Sequence, residues 1–400
     1  MNKSIELLAP AGNFDKLKTA IYFGADAVYL GGKDYSLRSF SENFTAEQMR
    51  QAVRYAHSCG KKVYVTVNIF AKNGDFGALR DYLVFLQEIE ADSALVTDVG
   101  VAAMAKKVAP KLKLHISTQA NTTNKYAAKF WQEQGAERVV LARELSLEEI
   151  AQIHEYCPTL QLEAFVHGAM CISYSGRCLL SNYLANRDSN RGACVQACRW
   201  KYAVRAVRPE QESEGELRME EDDRGTYLLN SKDLNMLSWL HAMEECGVCS
   251  FKIEGRMKSA YYLATVVNAY RRAMDNTLTT EQAQEELCKV AHRAFTTAYA
   301  FGDNAQTVNY ADSQESGTRE YVADVLEGGA IPLVQMRNRF RLGDVLEILS
   351  PSQQFNRTFV VQEMADEAGQ RIEDAKYVMQ ALRLHCPYAL QAGDILRKVL

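Results

Sequence analysis

Residues 93–141, SALVTDVGVAAMAKKVAPKLKLHISTQANTTNKYAAKFWQEQGAERVVL, alternate short β-rich runs with helical patterning. Ser93–Thr97, Lys113–Ser117 and Arg138–Leu141 are the runs, and Tyr126–Gln134 is one of the amphipathic stretches between them. Working outward, the alternation extends back through Ile5–Ala9, Asp26–Leu30 and Lys62–Val67, and forward to Gln161–Val166 and Ser250–Glu254. Strict β–α alternation with apolar strands predicts a parallel sheet with helical crossovers. Eight strands between Ile5 and Glu254 match the roughly 250 residues of a (β/α)8 TIM-like barrel. A doubly wound open sheet is the alternative, but no Gly-rich phosphate loop follows any strand. The fold class is α/β: a barrel over 1–303, with a long Cys-rich insertion at about 168–249 after strand seven. A small C-terminal β-barrel module over 304–400 follows, with short strands in GDVLEIL (343–349), RTFVVQEM (357–364) and GDILRKV (393–399).

Parity within the strands points to the side of the site. Leu162, Ala164 and Val166 share one face of strand seven, and Glu163, Phe165 and His167 the other. In strand five Leu114 and Ile116 oppose His115, Ser117 and Gln119; in strand eight Phe251 and Ile253 oppose Lys252 and Glu254. The apolar parity packs under helices, so the polar parity should face the barrel interior, with a site at the C-terminal strand ends. Some of these groups would simply pair with one another.

The 400 residues carry a net charge of −4, 47% hydrophobic and 24% charged residues, the balance of a globular protein and not of a generic, charge-driven nucleic-acid binder. MNKSIELLAPAGNFDK at the N-terminus has no apolar leader core, and no run approaches roughly 18 apolar residues, so a cytoplasmic protein without a membrane span is expected. Reduced thiols follow from that compartment. Cys59, Cys157, Cys288 and Cys386 read as buried small hydrophobes, and Cys246 and Cys249 as part of a strand-entry turn.

The other four, Cys171, Cys178, Cys194 and Cys198, lie in the long gap after strand seven. Structural zinc sites pair cysteines two to four residues apart, twice. Cys194 and Cys198 fit that spacing, but Cys171 and Cys178 do not, which suits an iron–sulfur cluster better and leaves zinc as the alternative. Arg177, Arg187, Arg191, Arg199 and Lys201 would offset thiolate charge or hold anions. The acidic run Arg208–Arg224 reads as a solvated loop. A second polar constellation joins NSKDL (230–234) to FKIEGRMKSAYY (251–262). From it Lys232, Lys252, Arg256 and Lys258, with Arg177, are candidates for holding anionic substrate groups. Strand geometry makes His167 and Glu254 the candidate proton-transfer residues. No HExxH or GxSxG motif supports a hydrolase, although His167 lies four residues from Cys171.

ELLAPAGN (6–13), GADAVYLGG (24–32), FVHGAMCISYSGRC (165–178), Cys194 with Cys198, NSKDL (230–234) and FKIEGRMKS (251–259) together resemble the collagenase-like peptidase U-32 family, and most of all its tRNA hydroxylation branch. That resemblance implies a 4Fe–4S cluster on Cys171, Cys178, Cys194 and Cys198. It also implies formation of 5-hydroxyuridine at the wobble position of a tRNA anticodon loop without molecular oxygen, with prephenate as co-substrate; it names no electron donor. Hydroxylation of 23S rRNA or of a quinone precursor is the near alternative, and a collagenase-like peptidase the alternative from another class. Some relatives place a cysteine just after the NSKDL run; Asn235 stands there in this chain, which favours Cys198 as the fourth ligand. A zinc-stapled RNA-binding protein without catalysis is a third reading, disfavoured by the polar barrel interior.

Overall fold

In a computed structural model, the structure describes residues 5–37, 42–200, 230–302 and 317–400. Lys201, the Arg208–Arg224 run and the boundary at 303/304 lie outside the described residues. The main domain starts with β1 (Glu6–Pro10), β2 (Ala27–Gly31), β3 (Lys62–Val67) and β4 (Ser93–Val96). It continues through β5 (Lys113–Ile116), β6 (Arg138–Val140), β7 (Gln161–Ala169), the short β8 (Asp233–Asn235) and β9 (Val248–Ile253). β1 to β7 pair in sequence, all parallel, and β9 inserts between β7 and β1, with Phe251 opposite both Ala164 and Leu7. The sheet is therefore a closed eight-stranded parallel barrel.

Helices α1 (Phe14–Tyr22), α2 (Ala46–Ser58), α3 (Phe76–Glu88), α4 (Val99–Val108), α5 (Lys125–Glu133) and α6 (Leu147–Tyr156) fill the first six crossovers. Polar residues begin them: Asn13 accepts from Lys16 N at 2.9 Å, Asp98 from Val101 N at 3.0 Å and Asn124 from Ala127 N at 2.9 Å, while Thr45 and Ser146 form capping boxes with Gln48 and Glu149. Asn13 of the first quoted motif thus serves as a helix cap. The insertion holds α7 (Leu180–Ala185) and α8 (Leu240–Glu245), and β9 leads into α9 (Ala260–Met274) and α10 (Thr280–Leu287).

The structure departs from the sequence reading at strand seven. β7 runs on to Ala169 and pairs antiparallel with β8, Gly168 opposite Leu234, so NSKDL enters a rim strand. Its register with β9 shifts between Phe165 and His167, a bulge that inverts side-chain parity. His167 consequently faces α9 and not the barrel interior. Cys157 and Cys386 are buried as expected, whereas Cys59 and Cys288 are exposed because each caps a surface helix end, α2 and α10 respectively.

From Arg319 to Val399 an antiparallel eight-stranded sheet, with a two-stranded ribbon beside it, encloses a separate apolar core around Val322, Val334, Leu346, Leu382 and Leu396. It docks on α9 and α10. The Tyr261 and Tyr321 rings stack at 5.4 Å, and buried Arg397 bonds Glu286 at 2.6 and 2.9 Å and Glu347 at 2.7 Å. Covered by barrel on one side and this sheet on the other, α9 is buried on every face from Tyr261 to Tyr270. Among the described residues, no helix is long and apolar enough to cross a membrane.

Candidate active site at the barrel mouth

The lower barrel interior is an ion ladder. Glu163, fully buried, receives Lys252 Nζ at 2.7 Å and Arg138 Nη1 at 3.0 Å. Arg138 also reaches Glu6, which accepts from the Tyr64 hydroxyl at 2.6 Å and the Ser250 hydroxyl at 2.8 Å. Burial alone would raise the Glu163 pKa, but Lys252, Arg138 and His115 outweigh it and hold the carboxyl at about 2. His115 lies below, bonded to Ser93 Oγ at 3.1 Å and edge-on to Tyr64 at 4.7 Å. The polar parity of these lower layers is spent on mutual pairing. Lys252, 4.4 Å from the Tyr29 ring centre, caps the ladder and floors the space above.

That space is a cavity of about 80 Å³ at the C-terminal strand ends, lined by Tyr29, Thr66, Asn68, Lys252, Glu254 and Arg256 among others. Arg256 is buried at the end of β9 and donates to Ser36 Oγ at 2.9 Å, Thr66 Oγ1 at 3.0 Å and Asn43 Oδ1 at 3.0 Å. A second cavity, about 140 Å³, is lined by all four clustered cysteines. The two share Leu37, Thr118, Gln119, Arg143 and Glu254, which makes them chambers of one site.

Local chemistry shapes the thiol loop. Glu144 accepts from Ser175 N at 2.5 Å and Ser175 Oγ at 2.6 Å, which pins the turn between Cys171 and Cys178. Arg191 forks onto Asp75 at 2.8 and 3.0 Å and onto the Phe70 carbonyl at 2.8 Å, tying the loop to the start of α3. Asn190 bridges both backbone groups of Cys178, and Val195 N donates to Ser181 Oγ at 3.2 Å. Backbone N–H groups two residues on point at three sulfurs: Ser173 at Cys171, Leu180 at Cys178 (3.3 Å) and Gln196 at Cys194 (3.4 Å). Donors aimed at sulfur stabilise thiolate ligands.

Without a cation Cys171 and Cys198 resist ionisation. Burial raises the Cys171 pKa, and burial followed by the neighbouring Cys171 pushes Cys198 up to about 11. A metal centre supplies the missing positive charge. One zinc would draw each sulfur to about 2.3 Å, whereas an iron–sulfur cluster spreads its thiolates over several metal atoms. Four thiols ringing a 140 Å³ cavity fit a polynuclear cluster.

Of the residues singled out in the sequence, the structure brings together Cys171, Cys178, Cys194, Cys198, Lys252, Glu254 and Arg256. Arg177 stands beside them, its Nε donating to the Gln119 carbonyl at 3.2 Å and its guanidinium 5.5 Å from the Phe70 ring centre. Lys232 and Lys258 line neither chamber; Lys258 Nζ lies 5.3 Å from the Tyr262 ring centre. His167 also lines neither. It packs against Tyr270 at 5.5 Å and Phe295 at 5.6 Å, where burial, opposed in part by Asp233, lowers its pKa to about 3. The bulge in β7 accounts for that displacement. Sequence reading missed Arg143, in the segment after β6, whose guanidinium lies 4.0 Å from the Phe165 ring centre and 3.6 Å from Glu254. Its signal was a lone arginine at a C-terminal strand end.

The sequence profile of peptidase family U32 matches residues 12–310, and that of the peptidase family U32 C-terminal domain matches 318–397. tRNA hydroxylation protein P1 of Bacillus subtilis is 39% identical over 100% of this chain and 96% of its own length. tRNA hydroxylation protein P of Escherichia coli is 35% identical over 91% of this chain and 90% of its own. A protein named collagenase, from Porphyromonas gingivalis, is 33% identical over 74% of this chain and 73% of its own length.

Proposed function

Because the chain belongs to peptidase family U32, we propose that it is an RNA hydroxylase, forming 5-hydroxyuridine at the wobble position of tRNA with a 4Fe–4S cluster and prephenate, and without molecular oxygen. One observation carries the reading: the four-thiol chamber opens into the mouth of the barrel. Relatives named tRNA hydroxylation proteins, matched over nearly their whole length, support the RNA substrate. Cys171, Cys178, Cys194 and Cys198 would hold the cluster, which when bound supplies one-electron redox chemistry.

The chain's own residues have separable tasks. An anticodon loop splays its bases at modest cost, so a wobble uridine reaches a recessed mouth. Arg256 provides positive charge for a carboxylate of the small acid. Glu254 lines both chambers and is positioned to carry a proton between them. Met170 and Ile172, on the same wall as the thiols, limit water. The peptidase alternative needs an activated nucleophile, and His167 does not stand in the thiol chamber to serve Cys171.

Protein purified without oxygen is expected to contain iron and acid-labile sulfide, about four of each per chain. A strain deleted for the gene should lose 5-hydroxyuridine in digested tRNA, regain it with the wild-type chain, and fail to regain it with Cys194→Ser. Zinc in place of iron, or full complementation by Cys194→Ser, would sink the proposal. Unchanged tRNA with a lost modification in 23S rRNA would move the substrate to the ribosome.

A further inference from the structure

Gln119 follows β5 in the turn Thr118–Ala120 and lies on the wall common to both chambers. It is 9% exposed, and its side-chain Oε1 is shielded from solvent with no hydrogen-bond partner among the described residues. Nothing about the position is loose. The Gln119 carbonyl holds Arg177, its N–H meets Ser117 Oγ at 3.5 Å, and Gly176 sits so close that a Cβ there would come 2.7 Å from Gln119 Nε2. Arg143 shares the wall and repeats the pattern. Its Nη1 donates to the Ala169 carbonyl at 2.9 Å, while its buried Nε has no partner among the described residues. Native proteins pair most buried polar atoms with protein, water or ligand, and two such atoms on residues that line one cavity are available to a ligand there.

The pair selects the ligand chemistry. A bare anion would satisfy Arg143 but turn its lone pairs toward the Gln119 oxygen. A ligand that presents an N–H between two carbonyls satisfies both, and the Watson–Crick edge of uracil has that order: O4, N3–H, O2. We infer that Gln119 and Arg143 read this edge of the everted base, Gln119 Oε1 accepting from N3–H, Gln119 Nε2 donating to one carbonyl and Arg143 Nε to the other. Base-extruding enzymes recognise their targets along the same edge. This inference rests on the RNA-hydroxylase reading and names the residues that hold the base.

The test uses full-length protein and fluorescence anisotropy with anticodon stem-loop RNAs carrying uridine, N3-methyluridine or an abasic residue at the target position. Wild type should prefer uridine to N3-methyluridine by about tenfold or more, the range of one good two-point base contact. Gln119→Leu should bind the two equally, at the weaker level. Gln119→Glu keeps the N3–H acceptor but loses the donor to the carbonyl, and should bind uridine more weakly than wild type yet still prefer it to N3-methyluridine; it carries the test if the leucine variant melts early. Wild type that prefers uridine to an abasic site yet ignores N3-methylation overturns the inference, as does discrimination that survives in Gln119→Leu or vanishes in Gln119→Glu. Equal binding of uridine and abasic stem-loops, with tRNA 5-hydroxyuridine unaffected by gene deletion, overturns the RNA reading itself.

Discussion

Lowering the pH from 7 to 5 should weaken the main domain through His167, a group that no longer has to be catalytic to matter. The ring is 2% exposed, against Tyr262, Tyr270 and Phe295, and around it stand Asp233, His292 and Lys258. Burial drives its pKa from 6.5 down to about 3, with His292 and Lys258 adding to the effect and Asp233 opposing it. The folded state therefore keeps the imidazole neutral while the unfolded chain takes up a proton below pH 6.5. Between the two values the unfolded state binds more protons, so stability rises with pH and is lost as pH falls through 6.5 toward 3. At about 1.4 kcal/mol per unit, pH 5 should cost about 2 kcal/mol, and the full span about 5 kcal/mol. The first figure corresponds to a fall of about 4–8 °C in the main-domain Tm. Glu163 and Asp233, both held below their ordinary values, stay ionised over this range and add little. Scanning calorimetry of wild type and His167→Gln at pH 7 and 5 isolates the term: the variant should start less stable but lose much less on acidification. Parallel pH slopes for the two proteins would refute the reasoning.

Replacing Lys252 with Met should leave Glu163 buried with one cation fewer and cost about 3–5 kcal/mol, seen as a drop of about 6 °C or more in Tm; a change under about 2 °C would mean that the ladder does not hold the barrel. Arg397→Met removes the buried cation shared by Glu286 and Glu347 at the domain junction and leaves them only Lys289 and Arg319. Its thermogram should resolve into two transitions, the C-terminal domain melting first, and a single unshifted transition would count against that network as the coupling element. Cys194→Ser, in anaerobic preparations, should carry markedly less iron and sulfide than wild type, by elemental and sulfide assay.

Period and order in the sequence were enough for the barrel. Apolar strands separated by capped amphipathic helices have few ways to bury both faces of each strand, and capping residues such as Asn13, Thr45 and Ser146 mark the helix starts locally. The grouping of the four cysteines was legible as well, and the fold brings them to one cavity. Glu254 and Arg256 line the mouth because a strand end aims its last residues there. What failed depended on contacts between distant segments. A single bulge in β7 turned His167 away from the mouth, and bulges follow from pairing with β8 and β9, not from local preference. Lys252 looked like a ligand residue until the partner 89 positions away, Glu163, claimed its ammonium. Gln119 and Arg143 come to line the cavity only in the assembled structure, because burial without a partner among the described residues is a property of the fold and of no residue alone.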